Sequence, residues 1–144
     1  MIEKSSRRQL LAGVAAFGFT GCMSSSETGK TSFLAEIDIS NRGSNNHSVD
    51  VKINWEGEEI YNRSHTVSGN KLNDEKVPGA SLEHTWPKKA GQFTVSARLQ
   101  NQEWKNVDSS KYDDSSCISV LARIETDGTL TMFVSMNEQV CSDL

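Results

Sequence analysis

The chain reads as an all-β protein: an antiparallel β-sandwich of seven to eight strands, preceded by an N-terminal apolar helix. Three observations predict it. Apolar residues recur at every second position in several runs, as in Val49-Asp50-Val51-Lys52-Ile53-Asn54-Trp55. Clusters of Gly, Asn, Asp and Ser separate the runs. No segment after Cys22 carries a sustained apolar stripe at the 3.6-residue helical spacing.

The first segment is the exception. Lys4, Arg7 and Arg8 form a basic head, and Leu10 to Gly21 follow without a charge. As a helix rising about 1.5 Å per residue, that stretch spans roughly 18 Å. This is short of the ~30 Å hydrocarbon core, so a permanent span is disfavoured. The length suits the apolar region of an export signal. Ser6-Arg7-Arg8-Gln9-Leu10-Leu11 resembles the twin-arginine export motif, with Arg7 and Arg8 as its paired arginines. Ala12, Gly13, Ala15, Ala16 and Gly18 dilute the hydrophobicity, as is common in such signals. Phe19-Thr20-Gly21-Cys22 resembles a lipobox, with Phe19 where Leu is usual. The resemblance implies cleavage before Cys22 and a lipid on its thiol through a thioether. Two chains on that lipid give stable anchoring where one gives only marginal binding.

The expected organisation is therefore a signal peptide over 1–21, a lipidated Cys and flexible tether over 22–32, and one β-domain over 33–144. The tether holds Ser24-Ser25-Ser26 and Glu27 to Thr31, with too little apolar surface to fold. Removing 1–21 leaves about 120 residues, enough for one core and too few for two. Those residues carry Glu3 against Lys4, Arg7 and Arg8, so the net charge falls from −4 to −6 on their loss. That sign does not suit a nucleic-acid partner. Twin-arginine signal, lipobox and acidic body together resemble small lipoproteins of halophilic archaea. With Cys22 lipidated, Cys117 and Cys141 remain, and an even pair in an oxidising compartment suggests one disulfide.

The strands follow in order. Phe33, Ala35, Ile37 and Ile39 alternate with Leu34, Glu36, Asp38 and Ser40. Asn41 to Asn46 is a loop by composition. Val49 to Trp55 is the cleanest strand, and Glu56-Gly57 begins a tight turn. Glu59 to Val67 returns as a more polar strand, with Tyr61, Arg63, His65 and Val67 on one side; an edge position suits it. Ser68 to Gly79 is turn-rich. Leu82, His84 and Trp86 suggest a short strand that Pro87 ends. Phe93, Val95, Ala97 and Leu99 form another strong strand, and Trp104 to Val107 a short return. Gly91-Gln92-Phe93-Thr94-Val95 resembles the strand opening of immunoglobulin-like extracellular domains, which implies an immunoglobulin-like sandwich.

The last hairpin sets its own register. Ile118, Val120, Ala122 and Ile124 form one face, and Leu130, Met132, Val134 and Met136 the next. A two-residue turn at Asp127-Gly128 mixes these faces. A three-residue loop, Thr126-Asp127-Gly128 with Gly left-handed, pairs Ile124 with Leu130, Ala122 with Met132 and Val120 with Val134. Cys117 then faces Asn137. A disulfide therefore requires Asn137 to Cys141 to leave the ladder and curl back, or the pairing to end early near Cys117.

Few chemistries fit. Neither Cys117 nor Cys141 is followed by the His and Met of a blue-copper loop. His47, His65 and His84 are scattered, without His-x-x-x-His or Cys-x-x-Cys spacing. Asp108, Asp113 and Asp114 lack the order and central Gly of a calcium loop. No Gly-x-Ser-x-Gly elbow or Gly-rich phosphate loop is present. No catalytic residue, metal or cofactor is expected. Trp55 continues a buried face, whereas Trp86 and Trp104 are candidates for a ligand platform. Asn46-His47-Ser48 and Asn62-Arg63-Ser64 are N-glycosylation acceptors by pattern, at Asn46 and Asn62. The sequence thus reads as a non-enzymatic lipoprotein on the extracytoplasmic face of the membrane, with a binding or structural role. A surface protein or glycan is its expected partner. A carbohydrate- or solute-binding module and a small cell-surface hydrolase are the alternatives.

Overall fold

The computed structural model describes residues 30–71, 76–142 and 144. The expected export signal with Arg7 and Arg8, the expected lipidation site Cys22 and most of the expected tether lie outside the described residues.

Eight strands form in the described chain: β1 (Phe33–Asn41), β2 (His47–Trp55), β3 (Glu58–Val67), β4 (Gly79–Ser81), β5 (Phe93–Leu99), β6 (Lys105–Asp108), β7 (Cys117–Ile124) and β8 (Leu130–Met136). A 3₁₀ turn at Ser109–Lys111 and one short helix, α1 (Glu138–Cys141), complete it. The strands make two four-stranded sheets, ordered β4-β1-β7-β8 and β3-β2-β5-β6. The chain is an all-β sandwich, as its alternating runs predict.

The alternation decides what lies between the sheets. Ile37 and Ile39 of β1 and Ile118, Val120, Ala122 and Ile124 of β7 face Val49, Val51 and Ile53 of β2 and Val95, Ala97 and Leu99 of β5, all buried in one cluster. Burying an aliphatic side chain of this size contributes about 1.5–3 kcal/mol, which outweighs any single surface contact here. At one end of the core Trp55 stacks on Phe93, with ring centroids 5.5 Å apart. Gly91 lies against that indole, and a Cβ there would come 2.4 Å from Trp55 Cζ2. Only a residue without a side chain fits under the ring.

Three features depart from the sequence expectation. First, the sandwich is not antiparallel throughout. β1 and β7 pair in parallel, from Phe33 opposite Cys117 to Asn41 opposite Ile124. The long path between them, through the other sheet, permits this pairing. Second, the β1 alternation slips at a bulge between Leu34 and Glu36. Leu34 and Ala35 are consequently both buried, and Phe33 is only half-buried. Third, Leu82 to Trp86 is not a strand. Leu82 N–H donates to Ile37 O and Trp86 Nε1–H to Leu34 O, at 2.9 and 2.6 Å. The segment covers the open side of β1 with irregular chain, in the place a longer β4 would take.

The β7–β8 hairpin has the expected register, with Ile124 opposite Leu130, Ala122 opposite Met132 and Val120 opposite Val134. Glu125 and Thr129 close the loop, and Gly128 sits at φ 85°. Asn137 N–H donates to Cys117 O. The chain then curls into α1, where Asn137 Oδ1 caps Gln139 N–H. This curl brings Cys141 back to Cys117, and the two form a disulfide. β3 is an edge strand, as its polarity predicts. The chain enters β1 and leaves α1 at the same pole of the sandwich, since Phe33 lies beside Cys117.

Candidate functional site

The outer face of the β3-β2-β5-β6 sheet gathers the polar positions left over when the core is filled. Val49, Val51 and Ile53 point inward, so Asp50, Lys52 and Asn54 point out. On β5 the outward set is Thr94, Ser96 and Arg98. The β2–β5 register sets Asp50 opposite Arg98 and Lys52 opposite Ser96. On the other side of β5, Ala97 lies opposite Lys105, which brings the preceding Trp104 beside Arg98.

The result is a cationic aromatic cluster. Arg98 Cζ and Lys52 Nζ each lie 4.3 Å from the centroid of the half-buried Trp104 ring. Arg98 Nε donates to Asp50 Oδ2 at 2.9 Å, and Ser64 Oγ donates to the other Asp50 oxygen. The Ser64 bond, with Arg98 beyond it, holds the Asp50 carboxyl below the usual carboxylate range against the opposing effect of burial. Among the described residues Lys52 has no carboxylate partner, so its ammonium adds a net positive charge to an acidic protein.

The two candidate platform residues part company. Trp104 stands on this face. Trp86 is 3% exposed, with its N–H satisfied by Leu34 O, so it is a core side chain and offers no shelf. Its other neighbour is His84, stacked at 4.3 Å. Burial lowers the pKa of His84, Lys88 adds to the shift, and the carbonyls of Ala35, Pro87 and Trp86 oppose it. His84 lines a groove of about 610 Å³ between β1, the 81–84 segment and α1. Asp38 and Ser81 line it too, but among the described residues no histidine hydrogen-bonds a serine or a carboxylate. His65 instead meets Tyr61 Oη at 2.8 Å.

The remaining candidates have local partners. Asp108 caps the 3₁₀ turn through Ser110 N–H, and Asp114 accepts from Thr31 N–H. Among the described residues no group of three or more His, Cys, Asp or Glu side chains could hold a metal. Asn46 and Asn62 are both exposed; Asn46 Oδ1 accepts from Gly69 N–H, and Asn62 Nδ2 donates to Glu59 at 3.4 Å. Sequence reasoning missed Lys52 and Arg98. Their strand positions were legible, but their approach to Trp104 depends on which strand pairs with β5. Comparison with protein-family models, curated proteins and solved structures finds no match.

Proposed function

We propose that this chain is a lipid-anchored extracytoplasmic lipoprotein, exported by the twin-arginine route, whose sandwich serves a binding role at the cell surface. The observation that carries the reading is the pairing of Cys117 with Cys141. It leaves Cys22 as the third thiol, directly after the small pair Thr20-Gly21. A disulfide also fits an oxidising compartment. Among the described residues no helix is long and apolar enough to cross a membrane. Lipid on Cys22 would supply the attachment. Cys22→Ala is expected to move the protein from the detergent-extractable membrane fraction to a soluble or uncleaved form. Retention in the membrane at unchanged mature size would refute the anchor. Intact mass of the wild-type protein reads cleavage, lipid, disulfide and any glycan together.

The Trp104 cluster favours a glycan as the bound partner, and specifically one bearing carboxylate or sulfate groups. A neutral sugar stacks on a bare aromatic face, but here two cations lie against the ring. Those cations and the indole edge suit an anionic polymer. Titration with dextran sulfate is expected to perturb Trp104 fluorescence, and Lys52→Ala and Arg98→Ala to weaken it. The response should fade as salt rises, because surface charges are screened. Equal response to neutral dextran, or to the Trp104→Phe variant, would remove Trp104 from the site.

A further inference from the structure

The edges of the two sheets are not equally protected. β3 carries Glu58, Glu59, Arg63 and His65 along its length. β6 is four residues with Lys105 and Asp108, and β4 is three residues long. Short strands and charge are the usual means of keeping sheet edges from pairing with other chains. β8 has neither. Its seven residues, Leu130-Thr131-Met132-Phe133-Val134-Ser135-Met136, contain no charge and no proline. Phe133 is 38% exposed and Met136 59%.

The hydrogen-bond phase of β8 decides what its free side offers. Glu125 N–H donates to Thr129 O at one end of the hairpin, and Asn137 N–H to Cys117 O at the other. Because bonded pairs alternate along an antiparallel ladder, Thr131, Phe133 and Ser135 direct their backbone groups to β7. Leu130, Met132, Val134 and Met136 direct theirs outward, where no strand among the described residues pairs with them.

We propose that β8 is a self-association edge, on which a second copy of this chain pairs antiparallel with the two-fold axis at Phe133. The strand is a chemical palindrome about that residue. Met132 meets Val134, Thr131 meets Ser135, and Leu130 meets Met136. Apolar meets apolar and hydroxyl meets hydroxyl at every step. The phase agrees: the Met132–Val134 and Leu130–Met136 pairs have their N–H and C=O groups free to bond each other. Phe133 meets Phe133 at a non-bonded position, where the backbones approach to about 4.5 Å. The electrostatics agree as well. The chain is acidic overall, yet the seam brings no charge against a like charge. The adjacent Arg123 and Glu125 close on each other at 3.0 Å, with the Arg123 guanidinium over the Phe133 ring at 4.2 Å. A partner of either charge finds nothing to pair with on β8, whereas another β8 matches it throughout.

Single cysteines on the full chain, extracted in non-ionic detergent, test both occupant and register. Under a mild added oxidant Phe133→Cys is expected to form a reducible dimer, because two Cα atoms about 4.5 Å apart lie within disulfide reach. Ser135→Cys alone should stay monomeric, while a mixture of Thr131→Cys and Ser135→Cys chains should link. Wild-type chain under the same oxidant controls for Cys22. Sedimentation of Phe133→Lys, which sets two ammonium groups face to face, should show dimerisation weakened by at least about tenfold. The proposal is overturned if Phe133→Cys stays monomeric, if Ser135→Cys links as readily, or if Phe133→Cys links to a different protein. It is also overturned if wild-type and Phe133→Lys chains sediment alike.

Discussion

Asn41 is a buried polar residue that ties two segments to β1. It is 0% exposed. Its Nδ2 lies within 2.8–3.3 Å of the carbonyls of Asn45, Val67 and Ser68, and its Oδ1 accepts from Gly43 N–H. One side chain thus satisfies backbone groups of the β1–β2 loop and of the end of β3. Asn41→Ala leaves those groups buried without partners and should cost about 2–3 kcal/mol, read as a lower denaturant midpoint at unchanged slope. His84 gives a pH dependence. Its folded pKa is lowered, so below about pH 6.5 the unfolded chain takes up the proton first. The neutral ring's contribution is therefore complete above that value and declines as pH falls toward the folded pKa. His65 is lowered in the same way, by burial and then by Arg63. His84→Gln should reduce the slope of stability against pH in this window and leave the part due to His65. An unchanged slope would place His84 in a wetter setting.

Among the elements, α1 depends most on a single bond. Four residues make a marginal helix in isolation. The disulfide returns Cys141 to β7 across a separation of 24 residues. Closing such a loop is worth about 3 kcal/mol in the chain-entropy model. Cys141→Ser should lower stability by about that amount. It should also raise amide exchange in α1 well before exchange rises in β7, whose ladder with β1 remains. Simultaneous exchange of both would show that α1 and the sheet open as one unit. The β7–β8 hairpin was legible in the sequence because a one-residue slip would turn Met132 and Val134 to the wrong face. The segment from Leu82 to Trp86 was misread for an instructive reason. Its apolar residues do alternate, but Trp86 needs a partner for its indole N–H, and Leu34 O supplies one. A polar group on a large apolar side chain can override strand geometry in this way.

At the scale of the whole molecule, the class of fold followed from periodicity, and the connections did not. Alternation in β2, β5 and β7, and in β1 beyond its bulge, states which residues face inward, whichever sheet each strand joins. The parallel pairing of β1 with β7 joins residues more than eighty positions apart, and no local pattern encodes it. The same gap limited the candidate site. Trp104 could be named from its type and place, but the cations around it come from β2 and β5 through tertiary register. The shared pole of Phe33 and α1 gives the molecule a direction. A nine-residue strand is about 30 Å long. A body held by the stretch before Phe33 would carry the β1–β2 loop, the β7–β8 turn and the approach to Trp104 some 30 Å further from its point of attachment. Those loops would then meet the surroundings first, and the disulfide would stand nearest that point of attachment.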